Sequence, residues 1–268
     1  MASMWQENQV DNNGVTLYSY RTGGDKPPVL LAHGITDSGL CWSRLARALE
    51  TKYDLVMVDA RGHGLSDRAE TYLPQDHVAD LMAVMKELCL VKPALIGHSM
   101  GAVNAAYLAA SYPDALSCLV LEDPPWPDTP ESIQRDEDAW RRTIAVERTR
   151  TLEDIMATGQ LANPTWDEAE FPAWAEAKRQ VAPGVVTWLD GGQSLNSWRK
   201  VIPKVTCPTL LITGDKDVRV TPDVAQEAQR LCPTLEVASI ANAGHSVRRD
   251  QLEAYLKAVG HFLDRHLT

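Results

Sequence analysis

Ser99 sits between Gly97 and Gly101 in LIGHSMGAVNA (residues 95–105), where an apolar run passes into small apolar residues. A serine hydroxyl is a weak nucleophile until a neighbouring base takes its proton. The best-placed base is His245, in NAGHSVRRD, directly after the last strand-like run. An imidazole used in this way needs an anion on its other nitrogen, to fix the tautomer and stabilise the imidazolium. Asp215 and Asp217, in LLITGDKDVRVTP, lie in the loop after the preceding strand-like run. The remaining need is a pair of donors for the oxyanion of a tetrahedral intermediate. LLAHGITDSG places His33-Gly34 just after another apolar run. The Ile35 backbone N–H would there pair with that of Met100, each donor typically worth ~3 kcal/mol in the transition state.

For this chemistry Ser99 must stand at the tip of a sharp turn, with a strand ending at His98 and a helix starting at Met100. The strained serine backbone requires neighbours almost without side chains two residues either side, which Gly97 and Gly101 provide. The helix start directs its N–H groups and positive dipole end to where negative charge develops. The rest of the chain supplies matching elements. Strands are expected at 15–20, 28–33, 54–59, 93–98 and 117–123, with helices at 38–50, 75–90 and 100–111 between them. Near-continuous apolar strands alternating with helices imply a parallel sheet covered on both faces, with 15–20 antiparallel at its edge. From Pro124 to Lys200 the chain is charged, helix-leaning and without a strand-like run. Alternation then resumes with 207–214, a helix at 222–231, a strand at 235–240 and a closing helix at 250–266. That helix places Leu252, Tyr255, Leu256, Val259 and Leu263 at helical spacing. The fold class is α/β, a mostly parallel doubly wound sheet. A core of 1–123 and 201–268 is interrupted by a helical insertion at 124–200.

The net charge of −10 over 268 residues, with no basic stripe, excludes nucleic acid and anionic membranes as expected partners. The N-terminal stretch does not read as a signal peptide, and no apolar run approaches the ~20 residues of a membrane span. Cys41, Cys89, Cys118, Cys207 and Cys232 are odd in number and scattered. They read as buried thiols in a reducing compartment, and the expected location is cytoplasmic. No histidine–carboxylate group has metal-ligand spacing, so neither a metal nor a cofactor is expected.

With His33-Gly34, DARGHGLSD (59–67), GHSMG (97–101), GDKD (214–217) and AGH (243–245) in this order, the chain resembles the α/β-hydrolase superfamily over nearly its whole length. The resemblance implies a Ser99–Asp217–His245 triad, since the acid of relatives usually lies three residues after the glycine of GDKD; Asp215 is the alternative. It also implies that the Arg61-Gly62-His63-Gly64 loop, with Ser66, shapes the sheet edge beside Ser99, and that the insertion caps the site. Some members carry the acid after the strand following the serine's helix. Here LEDPPW places Glu122 and Asp123 there, and these read as capping the strand end or the insertion.

Other residues read as structural. His98 is expected to point away from Ser99 and pack, His33 and His63 to bind loop backbone, and His77, His261 and His266 to be solvated or structural. Six of the eight tryptophans fall in the insertion: Trp126, Trp140, Trp166, Trp174, Trp188 and Trp198. Trp126, nearest the sheet edge, is the expected contributor to a substrate pocket. The expected activity is hydrolysis of a small-molecule carboxylic ester or lactone of modest size through an acyl-enzyme. A carbon–carbon bond hydrolase or lyase using the same residues, and a ligand receptor with slow or no turnover, are the alternatives. The oligomeric state, monomer or homodimer, is left open.

Overall fold

The computed structural model describes residues 5–128, 137–189 and 197–267. Its eight strands are β1 (Gln6–Asn12), β2 (Val15–Arg21), β3 (Pro28–Ala32), β4 (Asp54–Val58), β5 (Ala94–His98), β6 (Cys118–Glu122), β7 (Thr209–Thr213) and β8 (Leu235–Ser239). They form one sheet in the order β1-β2-β4-β3-β5-β6-β7-β8. β1, β2 and β4 pair antiparallel, and every pair from β4 to β8 is parallel. The fold is the α/β architecture expected.

Strands β4 to β7 are buried at every position, because helices cover both faces and leave no side chain a wet side. The two-residue alternation of a strand then divides one sheet between two cores. Leu30, Val56, Leu95, Leu119 and Leu211 face one layer, which holds α2 (Pro74–Glu87) and α3 (Met100–Ser111). Val29, Leu31, Leu55, Ile96 and Ile212 face the other, against α1 (Ser43–Leu49) and the closing helix Leu252–His266. From that helix Tyr255, Val259 and Leu263 are buried, while Leu252 and Leu256 pack at the margin.

One edge differs from expectation. β2 is antiparallel but internal, because β1 pairs with it along its whole length. QENQVDN is mostly solvated, so it lacks the apolar signature of a strand. The cue was the turn: Asn13 and Gly14 both take positive φ (54° and 85°), as Asn-Gly does in a tight hairpin.

Between the neighbouring strands β6 and β7 lie α4 (Glu137–Glu147), α5 (Leu152–Ala162), α6 (Phe171–Gln180) and a short helix Ser197–Val201. Indole N–H groups fasten this insertion to the sheet domain. Trp188 Nε1 donates to Asn104 Oδ1 at 2.9 Å and Trp166 Nε1 to Asp250 Oδ1 at 3.0 Å. Each such bond lets a tryptophan bury its ring without stranding a donor. The loop after β4 is anchored in the same economical way: Ser66 Oγ donates to Asp59 O at 2.6 Å and accepts from the Tyr18 amide at 2.8 Å. Arg61 forks onto Asp80 at 2.6 and 2.8 Å.

Chain order brings the functional loops together. From β3 the chain steps outward to β4, then returns to place β5 on the other side of β3. The loops after β3 and β5 therefore diverge from adjacent strand ends, where such sheets open a crevice. β6 lies beside β5, so its C-terminal residue joins the same rim.

Gly101 sets how closely α3 can lie on β3: a Cβ there would fall 2.1 Å from Ala32 O and 2.7 Å from His33 O, both rigid backbone. Gly101→Ala is expected to cost about 3 kcal/mol, the upper range for overpacking. Gly260→Ala, in the closing helix with nothing within 4 Å, should instead stabilise by up to about 1 kcal/mol. Urea unfolding of both variants checks the contrast.

Candidate active site

Ser99 takes φ 52° and ψ −117° between β5 and α3, a conformation with a steric cost that persists only where surroundings impose it. A Cβ on Gly97 would lie 2.4 Å from Gly101 O, so the tight turn depends on both glycines. The Ser99 amide donates to Glu122 O at 3.0 Å, tying the turn to β6. Met100 opens α3, and its N–H therefore has no helical carbonyl four residues back.

The loop after β3 presses against this turn. A Cβ on Gly34 would meet Ser99 Cβ at 3.4 Å and His98 Nδ1 at 3.0 Å. The three carbonyls of residues 34–36 are all held. Gly34 O accepts from His33 Nδ1 at 2.8 Å and from the Asp37 amide at 3.0 Å. Ile35 O lies 2.8 Å from His63 Nε2, and Thr36 O accepts from Lys178 Nζ at 3.0 Å. Because a trans peptide is planar, pinning Gly34 O turns the Ile35 N–H the opposite way. Burial, with the neighbouring His63, pushes His33 down to about 3. The ring is neutral, and its Nε2 accepts the Ala60 amide at 3.0 Å.

His245 lies in the loop after β8, with Nδ1 2.7 Å from Asp123 Oδ2. The expected acid, Asp217, is not its partner. Asp217 and Asp215 are solvent-exposed, and neither is bonded to His245 among the described residues. The GDKD loop contributes backbone instead. The Arg219 amide reaches Asp123 Oδ2 at 2.9 Å and the Val220 amide reaches Oδ1 at 2.9 Å. Asp123 is fully buried at the end of β6, with φ 40°. The reading of Asp123 as a strand cap is corrected accordingly. The available signal was its place one residue beyond the strand beside β5, followed by two prolines.

Its neighbour Glu122 has a different partner. The Glu122 carboxylate accepts from the Arg248 amide at 2.9 Å and from Arg248 Nη1 at 3.1 Å, which clamps the chain three residues after His245 to β6. His98 also acts on this loop. Its Nε2 donates to His245 O at 3.1 Å, with the two rings 4.8 Å apart. Burial, then the Arg248 and His245 charges, hold His98 well below the ordinary histidine range, so it is a neutral support. His98 precedes Ser99 in the chain, so this contact ties the His245 loop to the turn that carries Ser99. Among the described residues no hydrogen bond joins Ser99 Oγ to His245.

Beside the site is a buried ion cluster. Asp37 lies 3.2 Å from Arg249, 3.4 Å from Arg248 and 3.9 Å from Lys178. Arg248 is also paired with Glu122 at 3.1 Å, and Arg249 with Glu170 at 3.3 Å. Burial alone would push the Asp37 carboxyl up, but Arg249, Lys178 and Arg248 together outweigh it and hold it far below the usual carboxylate range.

A cavity of about 120 Å³ opens at Ser99, bordered by Gly34, Ile35, Trp166, Trp174, Lys178 and Arg249 among others. Trp126 is not among its walls. Its ring stacks on Trp198 at 5.2 Å, over Val103 and Tyr107 of α3, so the expected pocket residue is a packing residue. The indoles at the site come from the middle of the insertion. Cys89 is another correction: it is exposed, whereas the other four cysteines are buried. Among the described residues no helix is long and apolar enough to cross a membrane.

A depressed carboxyl adds stability above its unfolded pKa of about 4, and that stability is lost as pH falls below it. Asp37→Asn leaves three buried cations short of an anion. It should lower unfolding free energy by roughly 3–5 kcal/mol at pH 7. The gap from wild type should narrow as the pH drops below about 4, as urea titrations at both pH values would show.

Several known proteins share this arrangement of elements. A 2-(acetamidomethylene)succinate hydrolase of Mesorhizobium japonicum is 30% identical, covering 96% of this chain and 94% of its own. An N-formylmaleamate deformylase of Pseudomonas putida is 29% identical over 97% of each chain. The crystal structure of an E-2-(acetamidomethylene)succinate hydrolase superposes with a TM-score of 0.82 at 27% identity, covering 97% of this chain and 99% of that one. The sequence model of the α/β-hydrolase fold matches residues 27–247. With a strained serine at the β5 turn, a histidine after β8 and the sheet order to bring them together, the chain belongs to the α/β-hydrolase family.

Proposed function

We propose that the protein is a serine hydrolase cleaving a carboxylic ester or lactone of modest size through an acyl-enzyme. Ser99 is the nucleophile, His245 its base and Asp123 the acid that orients the base. The Ile35 and Met100 amides hold the oxyanion. The observation that carries this reading is the 2.7 Å bond from His245 Nδ1 to a buried carboxylate, beside a serine held at positive φ. With Nδ1 donating, the lone pair of the neutral imidazole is on Nε2, the nitrogen available as base.

In this reading Ser99 Oγ meets Nε2 in the substrate complex, since catalytic hydrogen bonds commonly close only when substrate is bound. Oγ then bonds to the carbonyl carbon while its proton passes to Nε2. The carbonyl electron pair moves onto oxygen, facing the two amides. Collapse restores the carbonyl and expels the alkoxide, which takes the Nε2 proton. In a lactone this alkoxide stays tethered to the acyl group. Water, deprotonated by the same Nε2, attacks the acyl-enzyme; release of the acid returns the proton to Ser99.

Residues 124–200 serve as a cap on the core of 1–123 and 201–268, contributing Trp166, Trp174 and Lys178 to the walls of the cavity. Two of the relatives are named for hydrolysis of a succinate derivative and removal of a formyl group, which supports an acyl substrate of limited bulk.

The test is turnover of p-nitrophenyl butyrate and a graded ester and lactone panel. Ser99→Ala should abolish turnover, and Asp123→Asn should lower kcat by about 10⁴-fold. Asp217→Asn should remain within about twofold of wild type, since an exposed residue away from the chemistry has small effects. A large loss in the Asp217 variant with none in the Asp123 variant would reverse the acid assignment. Tight small-molecule binding with no turnover on any panel member would identify a receptor.

A further inference from the structure

Lys178 occupies the boundary between insertion and core. It projects from α6 with its side chain 14% exposed. Its ammonium bonds Thr36 twice, at the carbonyl (3.0 Å) and at Oγ1. An ammonium has three N–H donors. Asp37 Oδ1, at 3.9 Å, is beyond hydrogen-bond reach for the third.

The charge pattern around it is uneven. Asp37 is one carboxylate facing three cations. Arg248 and Arg249 have further carboxylates of their own in Glu122 and Glu170, whereas among the described residues Lys178 has Asp37 at 3.9 Å, Glu147 acting from farther off, and the Trp174 ring 4.8 Å from its ammonium. A buried ammonium with so weak a counterion loses hydration without full repayment in ion pairing. Consistently, burial lowers the Lys178 pKa below the ordinary lysine range despite Asp37.

Lys178 also faces open space. Together with Thr36 and Trp174 it borders both the cavity at Ser99 and a second cavity of about 190 Å³, which runs on beneath α4 past Trp140 and Ile144. Lys178 therefore stands where the two cavities share walls, beside the space that a group attached to the scissile carbonyl would occupy. Glu147 borders the second cavity but not the one at Ser99, and would repel an anion there. The place that favours negative charge is the junction.

We propose that Lys178, backed by Arg249, is a subsite for a carboxylate carried by the substrate, and that the preferred substrates are acid-bearing acyl compounds. This deepens the serine-hydrolase reading and rests on it. Lys178 is a specificity residue here, not a member of the reacting set. A merely structural Lys178, pinning α6 to Thr36, would affect charged and neutral substrates alike.

The experiment compares kcat/KM for the monomethyl and dimethyl esters of succinate, glutarate and adipate, which match in length but differ in charge. Wild type should prefer the half-ester at one or more of these lengths. Lys178→Gln should reduce the half-ester to diester ratio by roughly tenfold, the loss of one charge-assisted hydrogen bond, and Lys178→Arg should restore much of it. Equal or better use of diesters at every length, or a ratio unmoved by Lys178→Gln, overturns the subsite. If wild type hydrolyses none of these esters, the reaction as proposed fails on this class, and the subsite is then judged by binding. Calorimetry on Ser99→Ala should show glutarate bound more tightly than glutaramide, with the advantage lost on adding Lys178→Gln. No such advantage, or one indifferent to Lys178, rejects the proposal.

Discussion

The site depends on how one buried carboxylate is satisfied. Asp123 stands fully buried at the end of β6, and an uncompensated carboxylate there would carry a heavy desolvation cost. Two amides from the loop after β7 and the imidazole from the loop after β8 meet that cost together. Three separate stretches of chain are thereby drawn onto a single pair of oxygens. Charge-assisted hydrogen bonds are short and directional, so the same contact that makes Asp123 tolerable also sets the orientation of His245. The positive φ of Asp123 and of Ser99 marks where backbone strain is accepted to hold these groups on the rim.

Around that contact lies a second layer of buried charge. Three cations, Arg248, Arg249 and Lys178, alternate with three carboxylates, Asp37, Glu122 and Glu170. Such clusters add little net stability over apolar packing, yet losing one member is costly because the others stay buried. Their value here is positional. Asp37 follows β3, Glu122 ends β6, and Arg248 and Arg249 follow His245, while Glu170 and Lys178 belong to the insertion. Apolar side chains could fill the same volume but would tolerate sliding. Paired charges admit few arrangements, so the insertion is keyed to the loops that carry Ser99 and His245.

The same geometry separates the roles of three histidines near Ser99. His33 and His98 are buried and held neutral, and each spends its ring on backbone of a site loop. His245 alone of the three is hydrogen-bonded to a carboxylate through Nδ1; His98 Nδ1 lies 3.9 Å from Asp37, beyond hydrogen-bond reach. A buried imidazole that spends its hydrogen bonds on backbone is a brace; one whose Nδ1 is bonded to an acid has its Nε2 lone pair free.

Patterns carried by neighbours in sequence were legible from the chain itself. Apolar runs of five residues alternating with amphipathic stretches dictated a parallel sheet covered on both faces. Gly97 and Gly101 around Ser99 specified the strand-to-helix turn, because that backbone leaves no room for side chains. The strand-free stretch from Pro124 to Lys200 coincides with the helices that lie between β6 and β7 among the described residues. Contacts between distant residues were not legible. Asp217 and Asp123 are both acids one loop away from a sheet edge, and composition cannot rank them. Only strand order decides, by setting β6 between β5 and β7 so that Asp123 is buried against His245 while GDKD turns its side chains to water. Trp126 failed in the same way, since proximity to the sheet edge in sequence says nothing about which face of α3 receives it. Local sterics are written in short windows of sequence. The burial of one charge against another is a property of the assembled loops, and it was settled only when the sheet brought them together.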